Sequence, residues 1–140
     1  MADNTPNRLV NIFFYGLHMD SSSLRAKGLE IRAPQAARVR DHQVIVREKA
    51  ILLRAPGEWA YGMLFQMTHD EIDVLYSHQK GYRAEAFIVE TGAFGRSVHQ
   101  TIAISMVHVD PPITSMIDKL YAAKLQDMLN AQGLPINTSL

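Results

Sequence analysis

The chain has 140 residues, 14 lysines and arginines against 14 aspartates and glutamates, and no cysteine. This length can bury a sizeable core without covalent cross-links, and a composition of 47% hydrophobic and 20% charged residues is typical of a folded globular protein. The composition excludes disulfides, thiolate metal sites and a thiol nucleophile, and the zero net charge removes the strongest argument for binding nucleic acid or an anionic membrane.

We interpret residues 1–140 as a single domain with a polar N-terminal tail over 1–7 and a C-terminal tail over 136–140. The N-terminal tail lacks the basic and apolar regions of a signal peptide. The longest apolar stretch, 9–17, is far too short to cross a bilayer. We therefore expect a cytoplasmic protein without a membrane or nucleic-acid partner.

The first strand and helix are marked by composition and by glycine. Residues 8–15 are β-branched and aromatic on both faces, which predicts a central, doubly covered strand that ends at Gly16. Asp20 and the serines after it are N-cap candidates for a short helix through Lys27, with Gly28 as its C-cap.

The middle of the chain predicts further strands and a second helix. Residues 36–54 are expected to hold two or three short strands, Pro56-Gly57 a turn, and 58–67 another strand. Thr68 with Glu71 forms a capping box, which opens a helix that ends at Gly81.

The last third predicts a hairpin and a long helix. Residues 82–90 and 97–108 read as strands joined by a turn over 92–95, and 114–132 as the longest helix. The expected apolar positions of that helix are Met116, Ile117, Leu120, Tyr121 and Met128. Many strands with interspersed single helices indicate an α+β fold on a mostly antiparallel or mixed sheet.

Two patterns have ordinary structural explanations. The six histidines show no metal-ligand spacing, so solvated or singly hydrogen-bonded imidazoles are favoured over a metal site. The segment 32–54 is basic and 68–90 is acidic, which fits solvated faces or, second, a self-association surface such as that of a homodimer.

Four short motifs follow one another along the chain. They are Tyr15-Gly16-Leu17-His18-Met19 after the first strand, Ala60-Tyr61-Gly62-Met63-Leu64-Phe65 in a later strand, Met67-Thr68 through Leu75, and Tyr121 with Leu134-Pro135. In this order they resemble the γ-glutamylcyclotransferase-like (AIG2-like) family over roughly residues 9–135. The resemblance implies a small mixed or antiparallel β-barrel with flanking helices and a cavity at the Tyr-Gly turn.

The resemblance also implies a chemistry without metal or other cofactor. Active members of the family cleave γ-glutamyl amides: the α-amine of the substrate attacks the γ-carbonyl, 5-oxoproline forms, and an amine leaves. The turn would hold the carboxylate of the substrate, with Tyr15, Gly16, Leu17, His18 and Tyr121 as substrate-binding residues. A glutamate moves the proton from the ammonium to the leaving group.

At the position of that glutamate this chain has Gln79, whose amide has no useful basicity. Glu85, on the following strand, could supply a carboxylate instead, and His18 or His78 could supply a base; a surface role for each is the alternative. The first hypothesis is a γ-glutamylcyclotransferase-like enzyme with altered machinery that acts on a small amide or amine conjugate. The second is a non-catalytic module that keeps the fold to bind a small molecule or a protein.

Overall fold

The computed structural model describes residues 4–77, 79–94, 97–135 and 138–139. Six strands and three helices follow one another along these residues. The strands are β1 (Leu9–Phe14), β2 (Gln35–Val46), β3 (Ala50–Thr68), β4 (Tyr82–Ala93), β5 (Ser97–His108) and β6 (Thr138–Ser139). The helices are α1 (Ser21–Ala26), α2 (His69–Tyr76) and α3 (Lys119–Ala131), and a 3-10 turn over Leu17–Met19 joins β1 to α1.

The strands β1 to β5 form a closed ring, because each pairs with two neighbours in the order β3–β1–β5–β4–β2 and back to β3. Strands β1 and β5 pair in parallel, whereas the other pairs of the ring are antiparallel. The short β6 adds in parallel to β2 at Val44 and Ile45, so residues predicted as a C-terminal tail take part in the sheet. The α+β class with a mixed sheet and flanking helices is confirmed.

Two long strands replace the several short ones expected between residues 36 and 67. Pro56-Gly57 does not end a strand, because β3 passes through it and stays paired with β2 on both sides. The register shifts at Asp41, which lies opposite the Pro56-Gly57 segment. Asp41 has a φ of 60° and Gly57 a φ of 83°. The backbone N–H of Gly57 donates to the Asp41 carboxylate at 2.9 Å, so a bulge bends the strands where a turn was predicted.

The predicted start of the last helix, at residue 114, is wrong. Helix α3 begins at Lys119, because the Asp118 carboxylate accepts the backbone N–H of Tyr121 at 3.0 Å and caps the first turn. Its buried positions are Ala122, Leu125 and Leu129. Of the positions expected to face the core, Met116 and Ile117 precede the helix, Leu120 is 77% exposed, and Tyr121 and Met128 are half-buried.

The predicted central strand is confirmed, and so is the start of the second helix, which ends at Tyr76 and not at the predicted Gly81. Strand β1 buries Ile12, Phe13 and Phe14. It lies so close to β3 that a β-carbon on Gly62 would stand 2.1 Å from the carbonyl oxygen of Phe14. Helix α2 opens with the predicted capping box, in which Glu71 and Thr68 each accept the backbone N–H of the other, at 2.9 and 3.1 Å.

The basic segment 32–54 and the acidic segment 68–90 form ion pairs with each other in the folded protein. Arg32 pairs with Glu71 at 2.5 Å, and Arg38 pairs with Glu90 at 2.9 Å. These pairs place charge of the basic segment against charge of the acidic one, so part of the asymmetry in the sequence is neutralised by folding. None of the described helices has the length and apolarity needed to cross a membrane.

Candidate functional site

A cavity of about 380 Å³ opens where β1 gives way to the 3-10 turn. The turn between β2 and β3 lies beside it, and α2, β4 and α3 complete its wall. Its lining residues are Phe14, Tyr15, Gly16, Leu17, His18, Ser23, Lys27, Glu48, Lys49, Ala50, Tyr76, Gln79, Tyr82 and Tyr121. The cavity therefore combines aromatic walls with a few charged side chains and with exposed backbone of a tight turn.

The Tyr121 hydroxyl lies against the backbone of that turn. A β-carbon on Gly16 would stand 2.8 Å from the hydroxyl oxygen, so only glycine fits there without displacing the tyrosine. The backbone N–H groups of Leu17 and Ala50 point toward the same oxygen and favour its ionised form, but burial outweighs them and raises the pKa of Tyr121. One backbone donor of the turn, that of Leu17, and one at the start of β3, that of Ala50, thus face the same oxygen atom, and converging backbone donors can also bind a carboxylate.

Three further tyrosines line the cavity and keep their protons. The Tyr15 hydroxyl donates to the carbonyl oxygen of Met106 at 2.7 Å. Burial raises the pKa of Tyr15 and of Tyr76, and it raises the pKa of Tyr82 to about 12. The hydroxyls of Tyr76 and Tyr82 make no hydrogen bond within the described part of the chain, so both can serve a ligand.

His18 is packed among aromatic rings at the cavity wall. Its ring centroid lies 5.6 Å from that of Phe14 and 5.7 Å from that of Tyr76. Burial, with a smaller contribution from the charge of Lys27, lowers the pKa of His18 to about 4. The imidazole is therefore neutral at physiological pH and is a poor proton acceptor.

Charged groups lie at the edge of the cavity. Lys27, Glu48 and Lys49 are all exposed, and the Lys49 ammonium stands 5.8 Å from the centroid of the Tyr82 ring. Glu48 is the one carboxylate among the described lining residues. No group of three or more histidines, aspartates and glutamates suited to a metal ion occurs in the described ranges.

Comparison with known proteins identifies the fold. No protein-family model matches the sequence, and no curated protein gives a significant sequence match. A solved γ-glutamyl cyclotransferase matches with a TM-score of 0.68 and 14% identity, covering 92% of this chain and 83% of that one. This chain has the γ-glutamyl cyclotransferase fold.

Two further structures agree with this assignment. The γ-glutamyl cyclotransferase specific to glutathione from yeast matches with a TM-score of 0.62 and 12% identity, covering 95% of this chain and 92% of that one. An AIG2-like protein from Mus musculus matches with a TM-score of 0.57 and 12% identity, covering 76% of this chain and 82% of its own. The expected resemblance to this group is confirmed at the level of the fold.

Within the γ-glutamyl cyclotransferase fold, the predicted substrate-binding residues come together. Tyr15, Gly16, Leu17, His18 and Tyr121 all line the cavity. Gln79 lines it as well, and its amide Nε2 donates to the carbonyl oxygen of Leu75 at 3.2 Å. The predicted base His78 lies outside the described residues.

Glu85 is not brought to the cavity. It is exposed on β4, directly opposite Ser105 of β5. Tyr82 of the same strand does line the cavity, but successive side chains alternate between the two faces of a strand. Because Glu85 is three residues from Tyr82, it points to the other face.

Sequence reasoning missed the charged edge and two of the tyrosines. The sequence pattern places Lys27 at the end of the first helix, and Glu48 and Lys49 lie within the basic segment 32–54, with no sign that they line a cavity. Tyr76 falls within the predicted second helix, and Tyr82 lies at the start of a predicted strand. The two tyrosines could have been found because they lie just after the Met67–Leu75 motif, and a buried tyrosine hydroxyl usually has a hydrogen-bonding role.

Proposed function

We propose that this protein binds a small carboxylate-bearing molecule in the Tyr15–Gly16 cavity and does not cyclise γ-glutamyl amides. The observation that carries the proposal is that a glutamine, Gln79, lines the cavity and donates a hydrogen bond to the backbone. Its amide lies at the cavity wall and is engaged with the Leu75 carbonyl, in the place where the family resemblance puts the catalytic glutamate.

Cyclisation of a γ-glutamyl amide requires a base, because the attacking amine of the substrate is an ammonium ion near neutral pH. The amide of Gln79 cannot accept that proton. His18 does not replace it, since a group with a pKa of about 4 is a far weaker base than the amine. Neither Gln79 nor His18 therefore supplies the proton shuttle that the family resemblance implies.

Carboxylate binding is supported by what remains. The backbone N–H groups of Leu17 and Ala50 converge at the Gly16 turn, and a ligand oxygen could share them with the Tyr121 hydroxyl. Lys27 and Lys49 add positive charge at the edge. Opposite charges steer an anion toward the cavity, and this contribution is expected to weaken as salt is added.

A second candidate is an enzyme of the same fold with a relocated base. Glu48 favours it, because this carboxylate lines the cavity two residues before Ala50, whose backbone N–H points at the Tyr121 hydroxyl. Glu48 is exposed and has no hydrogen-bond partner in the described chain that would hold it over a substrate, so we rank this candidate below the binding function.

The experiment that separates the two candidates measures product and binding on the same protein. We expect no 5-oxoproline from a panel of γ-glutamyl amines and dipeptides between pH 5 and 9. We expect calorimetry to detect binding of glutaric acid mono-N-benzylamide, a carboxylate of the corresponding length, and Tyr121→Phe to weaken it. Gln79→Glu supports the assignment of a missing base if it produces 5-oxoproline.

Turnover by the natural chain would contradict the binding proposal. Loss of that turnover in Glu48→Gln would then favour the relocated base, and loss in Glu85→Gln would favour the carboxylate first considered from the sequence. Glu58→Gln is the matched control for these variants, because this exposed glutamate of β3 does not line the cavity.

A further inference from the structure

We infer that the cavity selects carboxylates that lack an α-ammonium group, so its ligands are simple carboxylic acids or amidated dicarboxylic acids and not amino acids or γ-glutamyl compounds. This inference rests on the proposed function, because it specifies which carboxylates the cavity accepts. Its basis is the charge and hydrogen-bonding inventory of the cavity wall, residue by residue.

The charges of the wall disfavour a cation. Two ammonium groups, those of Lys27 and Lys49, stand at the cavity against the single carboxylate of Glu48. The charge of Lys27 reaches into the wall, since it disfavours the protonated form of His18. A ligand ammonium held near the turn would meet the same repulsion, and the exposed Glu48 is the one carboxylate of the described wall that could offset it.

The neutral groups of the wall favour an anion. The hydroxyls of Tyr76 and Tyr82 have no hydrogen-bond partner in the described ranges and retain their protons as a result of burial. The Tyr121 oxygen faces two backbone N–H groups, which leaves its own proton free to donate into the cavity. These three hydroxyls can donate to a carboxylate, and Glu48 is the one group of full negative charge among the described lining residues that could compete for them.

A hydroxyl oxygen or the Gln79 carbonyl could also accept a hydrogen bond from an ammonium. A neutral acceptor offsets little of the cost of removing a full positive charge from water, and the cost rises beside two lysines. An acidic partner at position 79 would change that balance. The presence of glutamine at position 79 therefore removes the catalytic base and also the carboxylate that could pair with a ligand ammonium.

The walls also favour a ligand with a planar apolar part. The rings of Phe14, His18, Tyr76 and Tyr82 line one continuous side, with neighbouring centroids 5.6 Å apart between Tyr76 and Tyr82 and 5.7 Å apart between His18 and Tyr76. Rings at such spacing pack favourably against another aromatic group. A benzyl amide is therefore a suitable probe.

The test compares two probes that differ only in the α-ammonium group: glutaric acid mono-N-benzylamide and L-glutamic acid γ-benzylamide. Calorimetry on the natural chain should give a Kd about tenfold lower for the probe without the ammonium, as expected for one unpaired charge. In Gln79→Glu, a 5-oxoproline assay on the recovered sample shows whether the ammonium-bearing probe stays intact. Where it does, the ratio of the two Kd values should narrow or invert, because the variant supplies a carboxylate at the wall. Lys27→Met should narrow it independently, and Lys124→Met should leave it unchanged.

Equal affinity, or tighter binding of the ammonium-bearing probe, would overturn the selection while leaving carboxylate binding intact. Binding of neither probe would overturn the proposed function and the selection with it. Thermal unfolding of each variant shows whether it is folded, and the Lys27→Met ratio still tests the inference if Gln79→Glu does not fold.

Discussion

The Tyr121 hydroxyl occupies the space in which a side chain on Gly16 would begin, since a β-carbon there would stand 2.8 Å from the hydroxyl oxygen. Gly16 has a φ of −114°, which any residue can adopt, so its lack of a side chain serves this contact and not the backbone. The first turn of α3 and the turn after β1 therefore meet at one point. That point is where we place the ligand carboxylate.

Gly16→Ala is expected to push the Tyr121 hydroxyl away from the turn. Overpacking of this kind costs about 1–3 kcal/mol of unfolding free energy and should weaken binding of glutaric acid mono-N-benzylamide about tenfold. Urea denaturation and calorimetry measure the two effects.

The double variant Gly16→Ala with Tyr121→Phe provides the control. Because it removes the hydroxyl that the new β-carbon meets, its loss of stability should be smaller than the sum of the two single losses. If the two losses of unfolding free energy simply add, the new β-carbon at position 16 does not clash with the Tyr121 hydroxyl, which would contradict this account.

Glu90→Ala is expected to destabilise the fold by about 2 kcal/mol, because it leaves a partly buried guanidinium without its partner. Arg38 donates to Glu90 through Nε and Nη2 at 3.0 and 2.9 Å, and the two side chains are only 16% and 14% exposed. The Arg38 guanidinium also packs 3.8 Å from the centroid of the Trp59 ring. The change is read from urea denaturation midpoints.

Glu85→Ala is the matched control, since it removes the same residue type from the same strand at an exposed position without an ion pair in the described chain. It should change stability by less than about 0.5 kcal/mol. Similar losses for the two variants would show that the Arg38–Glu90 pair has no special role.

His18 is expected to make stability fall as the pH is lowered. Its pKa is about 4 in the folded chain and 6.5 when unperturbed, so between these values the unfolded chain binds the extra proton. The contribution is complete above about pH 6.5 and is lost as the pH falls toward 4, with a size on the order of 2 kcal/mol.

Denaturation of the natural chain and of His18→Gln at pH 7 and at pH 4.5 isolates this term, because other titrating groups are common to both. From pH 7 to pH 4.5, the free energy of unfolding should fall more for the natural chain than for His18→Gln. His99→Gln, at an exposed position, controls for the substitution. A difference that does not vary with pH would contradict the assignment.

The local signals in the sequence predicted local structure well. The capping box at Thr68 and Glu71 is present as expected, because both partners belong to one helical turn. The glycine after Tyr15 marked the turn that carries the cavity, and the order of motifs predicted the fold. The first two features depend on residues close together in the chain, whereas the order of motifs extends over roughly residues 9–135.

Features set by distant partners were predicted less well. Pro56-Gly57 is typical of a turn, but a distant carboxylate, that of Asp41, converts it into a bulge. Helix α3 starts later than its apolar pattern suggests, and the residue before it is held by a distant partner, since the Asp118 N–H donates to the carbonyl oxygen of Arg47 at 2.7 Å. Glu85 could not be assigned to a face without the register of β4, so its distance from the cavity was not predictable.

The central claim is that the turn at Gly16 binds the carboxylate of a ligand, and its most direct test follows backbone amides by NMR during titration with glutaric acid mono-N-benzylamide. The account predicts saturable shifts of the Leu17 and Ala50 amides. It predicts no comparable shifts at Arg40 and Gln100, which line a separate cavity of about 360 Å³. Unmoved Leu17 and Ala50 amides at saturating probe, or shifts confined to the second cavity, would contradict it.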